Sequence, residues 1–153
     1  MQGTDGAHPL AGRYRLAVVT GAAMVGSIFL YGVIAAFAVP PVSGSAASVS
    51  PGILRPLFYG VAGVLVGPIV ALKSAGLRRA VVRKPPEDPA ARGARLFALE
   101  TAGFALCEVP ALLGLVLYIL TGEIGDFYRL AGYALTLFLV FFPRYNAWRE
   151  FER

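Results

Sequence analysis

Glu108 is the residue of this chain whose type and position best suit it to chemistry. It stands about twelve residues from either end of an apolar run, Leu96 to Thr121, that only it and Glu100 interrupt with charge. A charge at the centre of a bilayer costs ~2.5–3.5 kcal/mol on insertion scales, and protonating an ordinary glutamate at pH 7 costs ~3.7 kcal/mol. The two penalties are nearly equal. Such a carboxyl can be neutral in lipid and ionised on meeting water or a cation, as a proton or cation carrier requires. Pro110, two residues on, lacks the amide that would have bonded to the carbonyl of Leu106, so an acceptor is left free about half a turn before Glu108 and the helix is expected to bend. The plainer alternative is a structural hydrogen bond to a neighbouring span, where Ser27, Tyr31, Tyr133 and Thr136 lie near the same depth. Glu100, less than two turns into the run, is expected to be hydrated and is a weaker candidate for an ionic role.

Few other residues can contribute to catalysis. One histidine, His8, lies in a polar N-terminal tail, and one cysteine, Cys107, lies in the apolar run. A Ser-His-Asp triad, a bis-histidine haem, a disulfide framework and a cysteine-built zinc or iron–sulfur site are therefore all excluded within the chain. No nucleophile can be paired with a base, so the expectation is a protein that is not an enzyme and needs no cofactor. Cys107 reads as a small packing residue.

The elements that must position Glu108 are transmembrane helices. Hydrophobic residues make up 57% of the 153 and charged residues 15%, and the mean hydropathy is +0.66. Those values do not describe a soluble domain. Four apolar runs are candidate spans of a ~30 Å hydrocarbon core at ~1.5 Å per residue: Leu16 to Val39, Leu96 to Thr121 and Ile124 to Phe142, and a shorter one, Leu57 to Leu72, that its flanking Arg55 and Lys73 can extend. Arg13 and Arg15 before the first run resemble a signal-peptide flank, but its apolar stretch exceeds the ~7–15 residues of such a segment, so a retained helix is expected. Arg55 and Lys73 are expected to snorkel to the two interfaces, and Asp126 and Arg129, three apart, to pair on one helix face.

The fourteen basic residues set the orientation. Twelve flank one side: Arg13 and Arg15, seven between Lys73 and Arg95, and Arg144, Arg149 and Arg153; only Arg55 and Arg129 are on the other. By the positive-inside rule both termini and a basic loop over 73–95 are cytoplasmic. The net charge of +5 then reads as a topology signal and an attraction to anionic lipid, not as a nucleic-acid footprint. Residues 41–51 read as a short outer loop and Lys84 to Pro89 as the exposed part of the central one. Tyr145, Trp148 and Phe151, interleaved with arginines, are expected to lie along the inner interface. The fold expected is all-α, a single-domain integral membrane bundle of four helices, N-in and C-in.

Gly60, Gly63 and Gly67 place small residues along the second span, including a GxxxG pair, and Gly103, Cys107, Ala111 and Gly114 make a second stripe on the third. These suit close packing within the bundle or a seam between copies or with other subunits. Gly21 and Gly32 recur as Gly103 and Gly114, and Phe58-Tyr59 with Ala62-Gly63 as Phe127-Tyr128 with Ala131-Gly132. The two offsets differ, so a duplicated helix pair is one option among others.

The stretch Gly103 to Leu117, with Glu108, Pro110, Ala111 and Gly114, resembles the carboxylate-bearing second helix of the c subunit (proteolipid) of rotary ATP synthases. The comparable part runs over residues 60–120. The resemblance implies a glycine-rich helix, a cytoplasmic loop and a second helix whose carboxylate, here Glu108, carries the ion in a ring of copies. This chain departs in its sparser glycines, its long basic loop, Pro110, and two added spans that leave the carboxylate on the third helix. The pattern E-x-x-A-x-x-G-L-V is also similar to that of many small bacterial membrane proteins, and implies a bacterial inner membrane without implying an activity.

Three functions fit these readings. The first expectation is a structural or assembly subunit of a membrane complex, offering its basic segments to the cytoplasm. The second is a proton- or cation-binding subunit using Glu108. The third, a small cation-coupled transporter with one membrane glutamate, resembles the small multidrug resistance family in span number but carries its glutamate on a different helix.

Overall fold

The computed structural model describes residues 9–37, 51–74, 89–144 and 148. These form five helices and no strand: α1 (Pro9–Phe37), α2 (Pro51–Val64), α3 (Val66–Lys73), α4 (Pro89–Thr121) and α5 (Ile124–Phe141). The central turn Lys84 to Pro86 and the outer loop 41–50 lie outside the described residues, as do Tyr145, Arg149, Phe151 and Arg153.

Proline sets most of the boundaries. α1, α2 and α4 each begin on a proline, whose missing N–H is unneeded in the first turn and whose φ is already helical. α5 stops at Phe142, which is extended (φ −59°, ψ 141°) because the residue before Pro143 is driven out of the α region. α2 and α3 are one span with a break at Leu65. Pro68 has no N–H for the carbonyl of Val64, and the backbone bonds on either side, Leu65 to Val61 and Ile69 to Leu65, are stretched to 3.2 and 3.3 Å. Pro110 breaks nothing: α4 is one continuous helix through it.

Four spans are long and apolar enough to cross a membrane: Ala11–Phe37, Gly52–Lys73, Ala91–Thr121 and Ile124–Phe141. The second starts earlier than its apolar run because Pro51 opens the helix, which draws Arg55 inside the span. The polar stretch expected over 73–95 gives up its last residues to α4, since Ala90, Ala91 and Ala94 favour helix.

α4 is the centre of the bundle and packs against all four other helices. It turns into α5 through Gly122, whose φ of 74° is left-handed and whose N–H bonds to the Tyr118 carbonyl at 2.7 Å, an αL cap that makes a tight antiparallel hairpin. Gly114 lets the two helices meet: a Cβ there would lie 2.9 Å from Leu130 Cβ and 3.2 Å from the Phe127 backbone. The main core joins Ile28 and Ala35 of α1, Ile69 of α3, Phe104, Cys107 and Ala111 of α4, and Phe127, Ala134 and Phe138 of α5. The outer surface is apolar, with Phe37, Val64 and Leu139 at least three-quarters exposed, as expected where lipid is the solvent.

Two packing expectations resolve here. Gly103 lies against Lys73 and Gly114 against α5, whereas Gly60, Gly63 and Gly67 have open space where a Cβ would be, so the α2–α3 stripe makes no close crossing among the described residues. Trp148, expected along the interface, is instead buried against Tyr14, Ala17 and Leu96, its ring edge-on to Tyr14 at 5.7 Å. An indole gains more by filling the gap between α1 and α4 than by lying beside them.

Candidate membrane-embedded polar site

Glu108 is half-buried on the side of α4 that faces α1. Tyr31 donates its hydroxyl to Glu108 Oε1 at 2.5 Å, and Ser27, one turn earlier on α1, is hydrogen-bonded to the same oxygen. These are its partners among the described residues. Of the four polar groups near its depth, the other two point elsewhere: Thr136 donates to the Gly132 carbonyl of its own helix at 2.9 Å, and Tyr133 lines a cleft towards α2. The half-buried Leu106, whose carbonyl Pro110 leaves without its helical donor, is not joined to Glu108.

Ser27 Oγ also lies 2.6 Å from the Met24 carbonyl. A hydroxyl has one proton and here faces two acceptors, Met24 O and Glu108 Oε1. Ionised Glu108 leaves this arrangement one proton short. A protonated Glu108 completes it, because its carboxyl donates to Ser27, Ser27 donates to Met24, and Tyr31 still donates to Oε1.

Two more carboxylates sit at the ends of the bundle. Asp126, on the first turn of α5, has a fully buried side chain; Arg55 Nε meets Oδ2 at 2.8 Å, while Tyr59 OH and Arg129 reach Oδ1 at 3.1 and 3.2 Å. Arg55 also pairs with Glu123. The expected Asp126–Arg129 pair is present, but its stronger partner comes from another helix. At the opposite end Glu100, 1% exposed, is ion-paired with Lys73, whose ammonium sits 5.2 Å from the centre of the Phe104 ring. This corrects the expectation that Glu100 is hydrated, and gives Arg55 and Lys73, expected to snorkel, a carboxylate partner each on another helix. The missed signal was depth. Lys73 and Glu100 stand at the same end of the second and third spans, Arg55 and Asp126 at the same end of the second and fourth, and opposite charges at one depth find each other because leaving either alone costs more.

Among the described residues no three of His, Cys, Asp or Glu come together as a metal-binding group. What Glu108, Ser27, Tyr31 and Met24 offer is a small set of oxygens suited to holding a proton. The described residues form an all-helical bundle with four helices long and apolar enough to cross a membrane, tied together by internal polar contacts. No protein-family model, curated protein or solved structure matches the chain.

Proposed function

We propose that this is a multi-pass protein of the bacterial inner membrane, with both termini and the 73–95 segment cytoplasmic, acting as a non-catalytic structural or assembly subunit of a membrane complex. The orientation rests on the twelve-to-two division of basic residues across the spans. The role rests on one observation: each membrane carboxylate of the α4–α5 hairpin is held by a different helix, Glu100 by α3, Glu108 by α1 and Asp126 by α2. Spread in this way, the polar groups act as ties between helices. The uncovered glycine side of α2–α3 and the basic segments leave surfaces for neighbouring subunits and anionic lipid. Purification in a mild detergent is expected to retain a defined membrane partner at fixed stoichiometry. A chain that remains alone at every detergent concentration would count against this role.

A second reading is supported by the proton count at Ser27: Glu108 holds an exchangeable proton, as a c-like proton- or cation-binding subunit would. A hydrophobic carbodiimide attacks a protonated carboxyl in apolar surroundings, so labelling of Glu108 in intact membranes near neutral pH, declining with alkalinity, is the expected result. Absence of labelling at every pH would return Glu108 to a purely structural role.

A further inference from the structure

The polar cluster at Asp126 opens onto a cleft between α2 and α5. It encloses about 350 Å³ and is lined by Tyr59, Ala62 and Gly63 from one helix and Arg129, Leu130 and Tyr133 from the other. That is far larger than the ~30 Å³ share of one water molecule. Gly63 leaves room in it, since none of the described residues comes within 4 Å of the place a Cβ would occupy.

The lining is ordered by depth. α2 and α5 both run inward from the end of the bundle that holds the α4–α5 turn. Tyr59 and Arg129 therefore stand at the mouth, and Ala62, Gly63 and Tyr133 stand about one turn, ~5 Å, deeper. The Arg129 side chain is 72% exposed, and one N–H reaches Asp126 at the long distance of 3.2 Å. Asp126 Oδ1 is shared with Tyr59, and Oδ2 belongs to Arg55. Arg129 also hydrogen-bonds Tyr59, so after Asp126 and Tyr59 three of the five N–H groups of its fork have no acceptor among the described residues, and a guanidinium edge fits two phosphate oxygens at once. Tyr133 carries a hydroxyl with no partner among the described residues, one turn further in.

We propose that this cleft binds a phospholipid of the outer leaflet, its phosphate on Arg129 and one acyl chain over Ala62, Gly63 and Leu130. The inference rests on the membrane placement and orientation proposed above. The basic cytoplasmic segments, which set that orientation, lie at the other end of the spans and take no part in the binding. A cationic fork at the boundary with an apolar slot leading inward has the polarity of a phospholipid along the same axis.

The test uses the full chain in an uncharged maltoside detergent, stripped of lipid and titrated with phosphatidylglycerol, with bound lipid counted by native mass spectrometry. One tightly held lipid per chain is expected. Arg129→Gln should weaken it about tenfold, the effect of one charge-assisted hydrogen bond, and Gly63→Leu, which fills the cleft without touching Arg129, should remove it. Arg144→Gln, an exposed arginine at the other end, should change nothing. Equal weakening by all three variants, or unchanged binding in Gly63→Leu with helicity preserved, overturns the site. A dimer that carries no lipid and is lost in Gly63→Leu also overturns it, in favour of a second copy in the cleft. Release of the chain from membranes by alkaline carbonate would instead remove the membrane placement itself.

Discussion

Glu108 and Asp126 belong to the same hairpin and are answered in opposite ways. Asp126, at the end of the bundle, meets two guanidinium groups and a phenol; Glu108, near the middle, meets two hydroxyls and, among the described residues, no cation. The reason is reach. Arg55 and Arg129 keep 36% and 72% of their side chains exposed, so they can neutralise Asp126 while their own charge stays partly hydrated. No side chain in the middle of a span has that option. The carboxylate at the end thus sits in a charge-paired cluster, while the one at the middle is answered by neutral hydroxyls. The first is suited to fixing a helix end in place, and the second can in principle exchange what it holds.

The sharpest way to break this contrast is to neutralise Asp126. Asp126→Asn leaves Arg55 and Arg129 facing each other across a buried amide. Losing one member of a buried ion pair costs ~3–5 kcal/mol, and with both arginines partly exposed the expected loss is about 2–3 kcal/mol in a reversible unfolding titration in mixed micelles. A change below 0.5 kcal/mol, the ordinary surface range, would show that the cluster is not a tie. Gly114→Ala separates the two sites. Its Cβ would press on Leu130 and the Phe127 backbone, at an expected cost of ~1–3 kcal/mol, and loosen the Asp126 end while Glu108, bound to α1, keeps its carbodiimide reactivity. Equal disturbance of both carboxylates would mean the hairpin moves as one body. Glu108→Gln is the mildest. An amide can accept from Tyr31 and donate to Ser27, so the expected change is ~0.6 kcal/mol or less, the average worth of a hydrogen bond between membrane helices. A loss as large as that at Asp126 would place an ionised Glu108 in a pairing the proton count does not contain.

The sequence carried the helices and the carboxylates plainly but not the pairing. The four apolar runs become four spans, and Glu108 and Asp126 stand out as charges inside them. Arg55 was harder to place, because its helix begins at Pro51, ahead of the apolar run, and so carries it across to Asp126. The glycines show the same limit. Gly63 and Gly114 are equally small in the sequence, yet one faces an open cleft and the other the backbone of α5.

By itself the sequence determined that this chain is helical, where its four membrane-length helices lie, and how far along each its carboxylates stand. In apolar surroundings each backbone must satisfy its own hydrogen bonds whatever its neighbours are, and depth follows from counting residues along a span. Tertiary structure alone decided which groups answer each carboxylate. Ser27, Tyr31, Tyr133 and Thr136 share a depth, and the choice among them is the rotation of each helix about its own axis. That rotation is set by Gly21 against Phe104 and by Gly114 against Leu130, contacts between residues far apart in the chain or across a turn, which depth and hydropathy leave open.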